Sequence, residues 1–166
     1  MNTFKRLFRH LSHTRALARA QFPPATLQAI QACIGAGEAE HRAEVRLVIE
    51  AALPLSAVLR NESSRARAHE LFSHYRIWDT EENSGLLIYL NLADHRVEIV
   101  TDRTVGRALK RADWESVCST MTRSFADGIY HDGALEGLAQ LNRLLALHFP
   151  QTSQQKNEIS NRPLML

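Results

Sequence analysis

Cysteine is scarce in this chain. Cys33 and Cys118 are the only two in 166 residues, too few for the disulfide framework of a small secreted domain. Both fall on apolar helical faces, which suits buried thiols better than zinc ligands, and a reducing, cytoplasmic setting is expected. Long apolar runs are missing as well. No segment approaches the roughly 20 residues of a membrane span, and the N-terminus lacks the unbroken apolar core of a secretory signal. The usual signatures of phosphate chemistry are also absent. There is no glycine loop ending in Lys-Ser/Thr and no Asp-x-Asp pair. The positions where an arginine would close a cysteine phosphate loop are Ala39 after Cys33 and Ser124 after Cys118. His10 with His13, and His69 with His74, make no convincing metal pair.

Acidic residues are missing from the first 37 positions, where the cations are Lys5, Arg6, Arg9, Arg15 and Arg19. Removing these five from the formal charge of +2 leaves −3 for the remainder. The chain is thus a mildly acidic domain with a basic arm at residues 1–23. Phe4, Leu7, Phe8 and Leu11 recur at helical spacing, with Lys5, Arg6, Arg9 and His10 opposite. Such a helix suits an anionic membrane surface, peripheral to the inner membrane, or an unidentified protein partner, reached through residues 4–20. The alternative is a helix packed on its own domain with a solvated basic face. No aromatic stacking set or nucleic-acid motif accompanies the charge, so no nucleic-acid partner is expected.

Pro23-Pro24 separates the arm from a domain at 24–150, in which a helix over about 25–40 carries Leu27, Ile30 and Ile34 inward. Glu44 to Glu50 alternates as a strand, with Val45, Leu47 and Ile49 on one face and Glu44, Arg46 and Glu50 on the other. A helix capped by Asn61 follows, with Ala68, Leu71, Phe72 and Tyr75 as its apolar stripe. Next, the polar loop Trp78-Asp79-Thr80-Glu81-Glu82-Asn83-Ser84 runs into Gly85-Leu86-Leu87-Ile88-Tyr89-Leu90. A run this short and apolar reads as a strand buried on both faces. Strand, helix, strand gives a right-handed parallel crossover, and Val97 to Val100 returns as a hairpin. Two helices finish the domain, one after an Asp113 cap and ending at Gly128, the other after an Asp132 cap. The segment 151–166 reads as an extended or poorly ordered tail.

Taken in order, several segments resemble the TPM domain family in its short soluble bacterial form. These are Ala68…Leu71-Phe72, Trp78-Asp79-Thr80, Asn83-Ser84-Gly85-Leu86-Leu87-Ile88, Asp94-His95-Arg96-Val97-Glu98-Ile99-Val100, Asp102-Arg103, Trp114, Phe125…Gly128…Gly133 and His148-Phe149-Pro150. The resemblance implies a three-layer α/β/α sandwich with a small mixed β-sheet of Rossmann-like character. It also implies kinship with thylakoid proteins described as acid-phosphatase-like, and with relatives that bind calcium. Longer relatives have Asp-Asn-Gly where this chain has Asn83-Ser84-Gly85. Losing that acid weakens a hard-cation site.

Two candidate sites follow. At the mouth of the central strand the hairpin brings Asn83 and Ser84 beside Asp102 and Arg103, with Asp79 and Glu82 approaching. Asp79, Glu82, Asn83 and Asp102 are oxygen donors suited to calcium or magnesium. Arg103 would be the catalytic cation if the ion activates water for phosphoester hydrolysis. The competing reading is that Asp79 and Asp102 serve loop backbone and surface arginines. At the opposite sheet end Asp94, His95 and Arg96 suit an anion or simply form a tight turn. The two functional readings are a non-enzymatic interaction or assembly module and a divalent-metal-assisted, phosphatase-like hydrolase.

Overall fold

Every residue of the expected central strand, β2 (Gly85–Asn91), is buried in the computed structural model, which describes residues 3–152 and 156–166. The strand runs parallel to β1 (Glu44–Glu50), with Val45 opposite Leu86 and Ile49 opposite Leu90. It runs antiparallel to β3 (Arg96–Thr101), with Ile88 opposite Ile99. Gly85 at its mouth is required by a close approach, since a Cβ there would lie 1.8 Å from the Ile77 carbonyl oxygen.

The crossover from β1 to β2 passes through α4 (Leu55–Leu59) and α5 (Ser64–His74). Asn61 does not cap α5. It takes a left-handed turn conformation at φ 55°, and Ser63 caps instead, its hydroxyl accepting from the Ala66 N–H at 3.1 Å. On the other side of the sheet lie α3 (Pro24–Glu38), α7 (Arg111–Ala126) and α8 (Tyr130–His148). Pro24 opens α3, where its missing N–H costs no helical bond. Asp113 falls in the first turn of α7, accepting from the Lys110 N–H at 3.0 Å. Asp132 likewise sits in the first turn of α8, where its charge opposes the helix dipole. Gly128 ends the α7 turn at φ 77°, as expected of a C-terminal stop.

Alternation along β2 divides the interior. Leu86, Ile88 and Leu90 join Val45, Leu47 and Ile49 against α3, α7 and α8, while Leu87, Tyr89, Val48 and Val100 face Ala68 and Leu71 of α5. The result is the expected α/β/α sandwich around a mixed sheet. Short α6 (Arg103–Gly106) follows β3. Cys33 and Cys118 are free and half-buried, and burial raises both thiols.

At the outer edge β4 (Leu164–Met165) pairs parallel to β1 and gives the order β3-β2-β1-β4. The face of β1 that carries Glu44 and Glu50 is also buried. Glu44 accepts from the Ile159 and Glu158 N–H groups at 2.9 and 3.1 Å, and Arg46 donates to the Ser160 and Arg162 carbonyls at 2.7 and 3.0 Å. The C-terminal segment is therefore tied down by the charges of β1. Residues 153–155, within the expected tail, lie outside the described residues.

The arm forms two helices, α1 (Thr3–Ser12) and α2 (Arg15–Gln21). Ala18 and Phe22 enter the main core, so the second half of the arm is integral to the domain. No described helix is long and apolar enough to cross a membrane.

Candidate functional site

At the mouth of β2 the two loops meet through their backbones. The Asp102 N–H donates to the Gly85 carbonyl at 2.8 Å, and the Thr104 N–H to the Asn83 carbonyl at 3.2 Å. The side chains go elsewhere. Asp79 lies 2.6 Å from Arg76. Glu82 lies 3.0 Å from Arg42, whose guanidinium stacks 4.2 Å from the Phe149 ring centroid. Asp102 caps α6, accepting from the Arg103 N–H at 2.6 Å, and Arg103 is exposed. Asn83 takes a left-handed turn at φ 53°. Among the described residues no three His, Cys, Asp or Glu side chains converge on a point that suits a metal ion. As arranged, these oxygen donors answer to separate cations and backbone groups, and they do not fit calcium or magnesium as one ligand set.

The opposite end of the sheet is more tightly built. β2 ends at Asn91, whose amide oxygen accepts from the Asp94 N–H at 3.1 Å and fixes the turn. His95 completes that turn at φ 50°. The Asp94 carboxylate points at α1. Arg6 donates to it from Nε at 3.1 and 3.2 Å and from Nη2 at 2.7 Å, and Arg9 donates from Nη2 at 2.9 Å. His10 Nε2 lies 3.1 Å away. The side chains of Arg6 and Asp94 are each only 6% exposed, so a buried ion pair anchors the arm. Arg6 also donates to the Glu62 carbonyl at 2.6 Å. His10 Nδ1 accepts from the Leu53 N–H at 3.0 Å, which assigns its proton to Nε2, facing Asp94.

Electrostatics follow from this packing. Burial lowers the His10 pKa, with Asp94 working against it. Burial pushes the Asp94 carboxyl up, but the Arg6 hydrogen bonds and the His10 ring outweigh it and hold the group below the usual carboxylate range. His95 is lowered by burial and by the neighbouring His13 and Arg9. The His13 and His95 rings meet edge to face at 5.9 Å.

The reading of the arm as a helix packed on its domain with a solvated basic face is reversed in its faces. α1 does pack on its own domain, but through Arg6, His10 and the half-buried Leu7, which meets Leu53, Ala57 and Val58. Its aromatic face points out, with Phe4, Phe8 and Leu11 exposed by 81%, 73% and 58%. Beside it, α4 leaves Leu55 and Leu59 in solvent. Asp94 explains the choice, because a buried carboxylate demands cations while a Phe left in water costs less than an unpaired buried charge.

One cluster has no counterpart in the sequence reading. Arg67 of α5 donates to both oxygens of buried Glu50 at 3.1 and 2.8 Å, and the Tyr89 hydroxyl donates to the same carboxylate at 2.5 Å. Burial, then Glu50, raises the Tyr89 pKa, while the Glu50 hydrogen bond raises that of Arg67. Two positions along β2, the Asn91 amide donates to Ser64 Oγ at 3.1 Å. The available signal was the i, i+2 placement of Tyr89 and Asn91 on one strand face.

Comparison with known proteins places this geometry in context. The family profile described as the TPM domain matches residues 19–144, a range that contains Asp94 and leaves out Arg6, Arg9 and His10. Among solved structures, the chain is similar to the NMR structure of BA42 protein from the psychrophilic bacteria Bizionia argentinensis. The TM-score is 0.74 at 20% identity, covering 85% of this chain and 92% of that one. At that identity the likeness speaks for the fold alone. No curated protein matches.

Proposed function

Because the chain belongs to the TPM domain family and carries, ahead of the family's matched range, a helix with its aromatic face turned outward, we propose that it is a non-enzymatic interaction module that docks on an anionic membrane surface. The single observation behind this reading is the orientation of α1. Its cations anchor it to Asp94, and Phe8 and Leu11 are left in solvent, available to something apolar. Isolated exposed apolar residues need no explanation, but a group of this kind on one helix, continued by Leu55 and Leu59, marks a contact surface. Charge selects the occupant. Lys5, Arg15 and Arg19 are exposed around the helical arm and no acid precedes Glu38, so the segment is attracted to anionic headgroups and then inserts its rings at the acyl boundary. A phosphatase-like hydrolase draws less support, since the carboxylates of Asp79, Glu82 and Asp102 are each engaged elsewhere.

Vesicle flotation of the full chain tests this. Burying Phe8 or Leu11 is worth about 1.5–3 kcal/mol each, so the double variant F8S/L11S should partition at least about tenfold less than wild type onto phosphatidylserine vesicles. Both residues are exposed, so the fold is retained. Neutral phosphatidylcholine vesicles should float little of either protein. If wild type and variant float equally, or wild type stays with the soluble fraction throughout, the membrane reading fails and the face belongs to a protein partner.

A further inference from the structure

β3 closes the sheet on the side away from β4, and its outer edge carries no strand. Proteins commonly blunt such an edge with a proline, a bulge, a covering element or a very short strand. Over its six residues β3 has no proline, and its pairing with β2 runs unbroken from Arg96 to Thr101. Ile99 shows which groups face outward. Its carbonyl accepts from Arg65 of α5, and its N–H turns toward the Cys118 sulfur of α7. Strand alternation sends the N–H and carbonyl groups of Val97 and Thr101 the same way, and among the described residues no hydrogen bond meets them there. A groove of about 670 Å³ follows this edge, between Arg65 and α7. Half-buried Trp114 and Cys118, continued by Leu109, give it an apolar wall. Its charges do not balance. Arg65 lies 3.8 Å from Glu98 and Arg111 2.6 Å from Glu115, whereas exposed Arg96 enters no ion pair among the described residues.

We propose that this groove binds an extended peptide segment of a partner protein, which adds to β3 as an antiparallel strand with apolar residues along Trp114 and Cys118 and an acid opposite Arg96. Main-chain bonds to Val97, Ile99 and Thr101 supply the affinity, and alternate side chains supply the selectivity. Antiparallel addition is favoured because the slanted bonds of a parallel pair are slightly weaker. The pleat assigns the partner's faces. Val97 and Ile99 belong to the core beneath α7, and Val100 to the core beneath α5, so partner residues opposite Val97, Ile99 and Thr101 lie on the α7 side. Those opposite Arg96 and Glu98 lie on the other. An acid opposite Arg96 gains a cross-strand ion pair, and a lysine there meets like charge. Arg65 holds the Ile99 carbonyl until a partner N–H takes it, and its side chain, 49% exposed, can swing into water. No residue of α1 lines the groove, so the inference stands apart from membrane docking.

The test uses the full chain and a capped hexapeptide, Val-Thr-Val-Thr-Val-Glu, with amide shifts followed as the peptide is added. Saturable shifts should gather on Val97, Ile99 and Thr101. N-methylation of the three valines removes the donors that face β3 and should abolish binding, while N-methylation of the threonines, whose N–H groups face away, should be tolerated. Arg96→Glu should weaken binding about threefold or more and turn the preference toward the peptide ending in Lys. Arg143→Glu, an equal change of charge on α8 outside the groove, should leave binding unchanged. Shifts that fail to saturate, equal binding of the valine-methylated peptide, or equal weakening in Arg96→Glu and Arg143→Glu would overturn the proposal. So would a dimer of the chain alone that protects residues 96–101 from amide exchange, since the edge would then belong to a second copy.

Discussion

Replacing Asp94 with Asn tests how the arm is held. The substitution keeps the shape of the turn and its contact with Asn91, but removes the charge opposite Arg6, whose side chain is only 6% exposed. Removing one partner of a buried pair costs about 3–5 kcal/mol, because the other charge remains buried. The chain avoids most of that cost by releasing α1 and hydrating Arg6. What it gives up is the contact of Leu7 with Leu53, Ala57 and Val58 and two hydrogen bonds, His10 with Leu53 and Arg6 with Glu62. Such bonds contribute about 1 kcal/mol each, less than the stranded charge costs. Once released, a helix of 10 residues is too short to persist in water. Amide hydrogen exchange on Asp94→Asn should therefore show residues 3–12 exchanging at nearly unprotected rates, with β2 protected as in wild type. Unchanged protection in α1, or an equal loss across β2, would refute the argument.

Two further outcomes follow from groups elsewhere in the fold. Burial raises Glu38 to about 8 from an ordinary 4.5, so the folded state holds its proton more tightly and loses stability as pH rises from near 4.5 toward 8. His10 and His41 are lowered by burial from 6.5, so their contribution is intact above that value and lost as pH falls below it. Glu38→Gln keeps an acceptor for the Val45 N–H, and its stability relative to wild type should grow by about 2 kcal/mol between pH 5 and pH 8. Parallel melting curves for the two proteins would contradict this. Gly85→Ala would drive a methyl group against the Ile77 carbonyl at 1.8 Å, a backbone atom that cannot yield. A loss of about 3 kcal/mol or more is expected in urea unfolding, and a midpoint equal to wild type would show that the close approach is not rigid.

The central strand was legible because a five-residue apolar run between a glycine and an Asn has no other economical use. The parallel crossover and hairpin followed from segment lengths, and the family likeness from the order of motifs around them. β4 was not legible, since a pair of residues far along the chain from β1 leaves no periodic trace. Glu44 and Glu50 looked like the solvated face of an amphipathic strand, and only the tertiary placement of α5 and the C-terminal segment makes them buried acceptors. Helix starts were misplaced where several cap-forming residues were adjacent. Ser63 prevailed over Asn61, and Asp113 acts from the first turn of its helix. For the arm, helical spacing separated an apolar from a cationic face, but which one turns inward depends on Asp94, more than eighty residues away. Of the oxygen donors, Asp79, Glu82 and Asn83 share one loop and Asp102 joins them through the hairpin, but loop proximity does not say where each carboxylate turns, and Asp79 and Glu82 turn to separate arginines.

The Glu50–Arg67–Tyr89 contact gives the thin helical layer an address. The apolar side chains between α5 and the sheet would tolerate small displacements, because one aliphatic surface slides over another at modest cost. A forked guanidinium on a carboxylate does not tolerate them. Moving α5 by a single residue would part Arg67 from Glu50 and Ser64 from Asn91 at once, leaving polar groups stranded out of reach of water. The layer is thus indexed, and the start of α5 is held at a fixed position beside the β2–β3 turn.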